Sequence, residues 1–130
     1  MAKRTFPCPC CGYLMFDEGP GSYDICKICF WEDDDVQLRD PHLSGGANVL
    51  SLLESQRNFE AFGATERRFL VHVRPPDQSD SRDPGWTPAD PVRDNLERSL
   101  PEGEWETPWP KDLTELYWWR PTYWRKPTRG

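Results

Sequence analysis

The chain is poor in histidine, with two in 130 residues, and its 36% hydrophobic content includes no long apolar run. Without about 20 consecutive apolar residues there is no candidate membrane span. Met1-Ala2-Lys3-Arg4 opens like the basic start of a signal peptide, but Thr5-Phe6-Pro7-Cys8 ends it before any apolar segment begins. A cytoplasmic protein with reduced cysteines is therefore expected. Cations are the minority charge, 16 Lys and Arg against 22 Asp and Glu, for a net −6. Phosphate contacts need Lys and Arg, so this balance disfavours nucleic acid as a partner and favours a protein partner, a basic one in particular.

Catalytic motifs are missing as well. His42 and His72 have no neighbours at metal-binding spacing, and His72, between Val71 and Val73, is expected to be a hydrogen-bonded packing residue. No Ser-His-Asp order, nucleophile elbow or phosphate loop can be assembled, and the carboxylates fall in loops and caps. No catalytic residue is assigned, and a non-enzyme is the expectation.

Proline and tryptophan, by contrast, are abundant, at 14 and 7 residues. Ten of the 14 prolines lie from Pro75 onward, so the composition changes at Pro75-Pro76. This divides the chain into a compact unit over 1–76 and a Pro/Trp-rich extension over 77–130 that wraps the first unit or a partner.

The most specific feature is Cys8, Cys11, Cys26 and Cys29: two C-x2-C pairs separated by fourteen residues. Each pair is a knuckle that offers two thiolates from one tight turn, and two knuckles together make a tetrahedral site. One structural Zn2+ suits that donor set best, while iron accepts the same ligands and is the alternative. Such a site is closed, with no position for a reactive water. Gly12 follows the first pair, where the turning backbone needs a positive φ. Cys10, the fifth cysteine, points away from a knuckle's metal. It is either a small packing side chain or a redox thiol, and in the latter case Lys3 and Arg4 are the nearest cations in sequence.

Thr5 to Phe16 reads as strand, knuckle, strand, and the 48–62 segment as a helix capped by Asn48 and stopped by Gly63. Its stripe of Val49, Leu52, Leu53, Phe59 and Phe62 faces the knuckles. Between them, Glu32-Asp33-Asp34-Asp35 reads as a solvated acidic loop. It lacks the alternation and central glycine of a calcium loop, and is a candidate surface for a cationic partner. Asp90-Pro91 is expected to open a short helix carrying Val92, Leu96 and Leu100 on one side, and Pro110 another. At the end, Trp118, Trp119, Tyr123 and Trp124 lie among cations. They either fold back to complete a small core or form a contact patch for a partner or a second copy of the chain.

Cys8-Pro9-Cys10-Cys11-Gly12-Tyr13, Cys26-Lys27-Ile28-Cys29-Phe30-Trp31-Glu32-Asp33-Asp34, Gly45-Gly46-Ala47-Asn48, Gln56-Arg57-Asn58-Phe59 and Phe69-Leu70-Val71-His72-Val73-Arg74-Pro75-Pro76 together resemble the cysteine-rich CPCC family over roughly residues 5–76. The first knuckle is also similar to those of zinc ribbons and rubredoxins. The resemblance implies a metal-binding fold, mostly bacterial, and supplies no catalytic residues. The expected architecture is a small α+β zinc ribbon packed against one helix, followed by an irregular Pro/Trp-rich arm with short helices. The expected function is a non-catalytic adaptor, of inhibitor or immunity type in one version. A nucleic-acid-binding ribbon using Arg57, Arg67, Arg68 and Arg74, joined by Arg120, Arg125 and Lys126 in a wider version, and a thiol-switch or electron-transfer protein, are the alternatives.

Overall fold

In the computed structural model, which describes residues 5–101 and 104–126, the chain first doubles back at Cys8 to Gly12. Lys3 and Arg4, the cations expected near Cys10, lie outside the described residues. Gly12 takes φ 83°, a left-handed conformation that glycine adopts at little cost. Its N–H donates to Cys8 O at 2.7 Å, while Cys8 N–H donates to Tyr13 O at 2.8 Å. The flanks pair as a two-stranded antiparallel sheet, β1 (Phe6–Pro7) and β2 (Leu14–Phe16), with Phe6 opposite Phe16. This is the expected strand, knuckle, strand.

A second hairpin repeats the pattern. Phe30 N–H donates to Cys26 O at 2.7 Å and Cys26 N–H to Trp31 O at 2.9 Å. An Ile25–Glu32 bridge and bonds between Tyr23 or Asp24 and Asp33 hold its arms together.

The acidic run is not a solvated loop. Asp33 and Asp34 are buried, and Glu32 and Asp35 are partly so. Asp33 accepts from the Ser22 N–H and hydroxyl. Asp34 is the N-cap of α1 (Asp35–Arg39), with one oxygen on the N–H groups of Val36 and Gln37 and the other on Ala47 N–H. An N-cap carboxylate satisfies donors that the first helical turn leaves open, which is why this aspartate is drawn inward. Gly46 makes the arrangement feasible, since a Cβ there would lie 2.6 Å from the Asp34 carboxylate.

The main helix is α2 (Leu52–Phe62), four residues shorter at its start than the sequence predicts. Ser51 caps it through a reciprocal capping box with Glu54. Asn48 is occupied elsewhere: its side-chain amide pairs with the Glu32 backbone and with Gln37, whose own amide donates to Leu43, Asn48 and Leu50 carbonyls. Gly63, at φ 95°, ends the helix as expected. Leu52 and Leu53 face the core, while Val49 precedes the helix and is exposed.

Beyond α2, a 3-10 turn spans Arg67–His72 and another Leu113–Leu116. The helix expected after Pro91 is a single turn: Asp90 accepts from Val92 and Arg93 N–H, but Val92 stays almost fully exposed, so no apolar face exists to stabilise further turns. His72 is exposed and packs by stacking on the Phe30 ring at 5.1 Å.

One core unites both parts of the chain. Phe16, Ile28, Trp31, Leu38 and Leu52 pack in the same cluster as Leu116, Tyr117, Trp118, Trp119 and Tyr123. The terminal aromatics thus follow the fold-back alternative, with Trp124 partly buried. Three of them have their polar atoms satisfied on carbonyls or a carboxylate: Trp118 Nε1 on Thr87 O, Trp119 Nε1 on Asp83, Tyr123 Oη on Asn95 O. Arg39 anchors the same region. Its fully buried guanidinium pairs with Glu97 at 2.7 Å and lies 4.1–4.8 Å from the rings of Trp105, Trp109 and Trp124. Among the described residues, no helix is long and apolar enough to cross a membrane.

Candidate metal centre

The two knuckles face each other and bring Cys8, Cys11, Cys26 and Cys29 into one cluster. All four side chains are fully buried, and their sulfurs lie within 4.8 Å of one another. Cys8 and Cys29 Sγ are 3.6 Å apart, and Cys11 and Cys26 Sγ 3.7 Å. Four sulfurs at about 2.3 Å from a central ion form a tetrahedron with edges of about 3.8 Å. The two separations of 3.6 and 3.7 Å are close to that figure and all six lie within 4.8 Å, so the residues present could hold a thiolate-bound metal.

The electrostatics agree. Burial pushes the thiols of Cys8, Cys11 and Cys29 up. Burial acts on Cys26 in the same sense, but hydrogen bonds from Cys11, Cys29 and Cys8 outweigh it and hold Cys26 well below the usual thiol range. A metal ion held here would draw protons off the thiols that burial keeps protonated. Trp31 N–H is aimed at Cys29 Sγ at 3.5 Å, a donor suited to thiolate charge.

Cys10 is apart from this set. It is buried and lines a cleft of about 390 Å³ with Gln56, Phe59, Arg82 and Trp86. Of the other sequence candidates, Asp33 and Asp34 serve internal hydrogen bonds, as do Trp118, Trp119 and Tyr123. Glu32 lines a separate small cleft with Ile25, Phe30, Val49 and Phe69. Arg68 and Arg74 are paired with Glu66 and Asp80.

Backbone carbonyls of both knuckles are capped from outside. Thr65 N–H donates to Cys29 O and Arg74 N–H to Lys27 O. In the first knuckle, Pro9 O receives Gln56 Nε2 and Trp86 Nε1, Cys11 O receives Arg82 Nε, and Gly12 O receives Asp83 N–H. Sequence reasoning missed Arg82, Asp83 and Trp86, because nothing local marks them as neighbours of a cysteine pair more than 70 residues away.

No curated protein matches the chain. The family model described as cysteine-rich CPCC matches residues 6–80, a span that holds all four clustered cysteines, both hairpins and α2. With that match over more than half its length, the chain belongs to the cysteine-rich CPCC family.

Proposed function

We propose that the cluster holds one structural Zn2+ and that the protein is a non-catalytic, metal-tied interaction module of the cytoplasm. The observation that carries the reading is the buried set of four cysteine sulfurs within 4.8 Å of one another. Zinc bound by four thiolates has a full coordination shell, so the ion's contribution is to tie two hairpins that have little core of their own. Cys8 and Cys11 would hold it from one hairpin and Cys26 and Cys29 from the other. Native mass spectrometry of freshly purified protein tests this, with one zinc per chain as the expected result. Iron, or no metal with oxidised cysteines, would overturn it and favour the redox alternative.

The interaction reading rests on what the surface leaves unused. Ile25, Val49, Leu70 and Val71 are exposed, and Ile25 and Val49 share their cleft with Glu32. An apolar segment carrying a cation is the partner this suits, which retains the basic partner of the sequence reading with a smaller acidic surface. The inhibitor version narrows accordingly to Glu32 and Asp35. The nucleic-acid alternative is weakened because three of its cations, Arg68, Arg74 and Arg120, each pair with a carboxylate. Combining Glu32→Gln with Val49→Ser is expected to abolish recovery of a co-purifying protein. Undiminished recovery by this variant sinks the interaction reading at this cleft.

A further inference from the structure

We propose that residues 81–86 form a clasp over the first knuckle that sets how fast the metal leaves, and that Asp83 is the residue that locks it. The inference rests on the four-cysteine cluster binding a metal. The clasp touches the knuckle through both backbone and side chains. Ser81 O accepts from Leu14 N–H and Asp83 N–H donates to Gly12 O, both at 2.8 Å, so the segment runs beside β2 like a third short strand. Arg82 then donates Nε to Cys11 O at 2.9 Å, its guanidinium 4.6 Å from the Tyr13 ring and 4.8 Å from that of Trp86. Trp86 donates Nε1 to Pro9 O at 3.1 Å and lays its ring over Gly12, where an added Cβ would meet it at 2.5 Å.

The Asp83 side chain makes none of these contacts. It turns away from the knuckle and accepts Trp119 Nε1 at 2.7 Å and the Arg120 guanidinium at 2.9 and 3.1 Å. One residue therefore joins the backbone of a metal knuckle to the aromatic segment at the far end of the chain. For a chelator to take the ion, a knuckle must open and release its sulfurs in turn. Opening the first knuckle breaks the bonds at Pro9, Cys11 and Gly12 together while Asp83 holds the clasp down. Groups that orient a metal ligand from behind typically change metal affinity by tenfold to a hundredfold. These contacts fall at residues 81–86 and 119–120, beyond the span the family model matches, so the clasp belongs to this chain's own extension.

The test is the rate of metal transfer from the full-length, zinc-loaded protein to a colorimetric chelator in excess. Asp83→Asn and Trp86→Phe are compared with the unaltered chain and with Ser51→Ala, which loosens α2 and leaves the clasp intact. Trp86→Phe keeps a ring over Gly12 and removes only the bond to Pro9 O, so it serves if Asp83→Asn fails to fold. Release is expected to rise at least tenfold in both clasp variants and to stay within twofold in Ser51→Ala. The cobalt-substituted forms are expected to keep a tetrahedral thiolate spectrum, placing the effect on release and not on the ligand set. Clasp variants within twofold of the unaltered protein would overturn the proposal. Equal acceleration in Ser51→Ala would too, by reducing it to general loosening. An unaltered chain that binds no metal would instead remove the reading beneath it.

Discussion

The two knuckles have the same backbone hydrogen bonds and opposite coverings. In each, the residue after the second cysteine adopts positive φ and donates to the carbonyl of the first. At the first knuckle that residue is Gly12, and its missing side chain makes room for the Trp86 ring. At the second it is Phe30, held at φ 74°, a conformation uncommon for a non-glycine residue. Its ring lies 4.5 Å from Phe69 and 5.1 Å from His72. Corresponding carbonyls are capped in both: Pro9 and Cys11 by side chains, Lys27 and Cys29 by backbone N–H groups. The cysteine-bearing face thus constrains the turn, while the outer face is free to differ. One knuckle is roofed by the C-terminal part of the chain, and the other keeps its own aromatic stack beside exposed Ile25 and Val49.

The comparison can be broken at its common element first. Cys11→Ser and Cys29→Ser are each expected to abolish stoichiometric metal binding and cooperative unfolding, because either knuckle alone supplies half a site. Retained zinc by mass spectrometry in one of them would show that the knuckles are not equivalent.

The two positive-φ residues separate the coverings. Gly12→Ala is expected to destabilise the protein by about 3 kcal/mol, from left-handed strain and collision with Trp86 combined. Phe30→Gly relieves strain as it loses ring contacts, and a loss under about 1 kcal/mol is expected. Denaturant unfolding checks both, and similar values would erase the distinction.

Only the second hairpin carries a titrating buried carboxylate. Burial raises Asp33 from 3.8 to about 6, against the lowering effect of hydrogen bonds from Ser22 and Gly21. The folded state thus binds this proton more tightly than the unfolded chain. The stability it contributes is full below about 4 and is lost as pH rises through about 6. Relative to Asp33→Asn, the unaltered protein is expected to gain about 1 kcal/mol between pH 7 and pH 5. Parallel stability–pH curves for the two proteins would rule this out. Outside both knuckles, Ser51→Ala is expected to cost about 1 kcal/mol through loss of the capping box, read from the thermal midpoint.

What could be read in the sequence follows the range of the interactions concerned. Cysteine spacing, Gly12 and Gly63 report local backbone geometry, and each has its expected place. The capping box was present as Ser51-x-x-Glu54, but Asn48 is drawn off by Gln37 and Glu32, a network assembled across a loop. Asp33 and Asp34 look like solvent residues because the donors that bury them, Ser22 and Ala47, are 11 and 13 residues away. The fate of the terminal tryptophans depends on Asp83 and Thr87, and no local pattern in the sequence encodes those pairings. The cluster of four cysteines was thus legible and its outer support was not.

The enclosed Arg39 also has a consequence for synthesis of the chain. Its ion-pair partner Glu97 and its carbonyl acceptor at Thr107 follow it by 58 and 68 residues. At about 5–20 residues per second, a ribosome adds that stretch in roughly 3 to 14 s. During this interval both cysteine pairs have been made, while Arg39 and the core face around Leu38 wait for their cover. Vectorial synthesis therefore sets a lower limit on the assembly: the guanidinium is enclosed only once the tryptophan-bearing segment arrives.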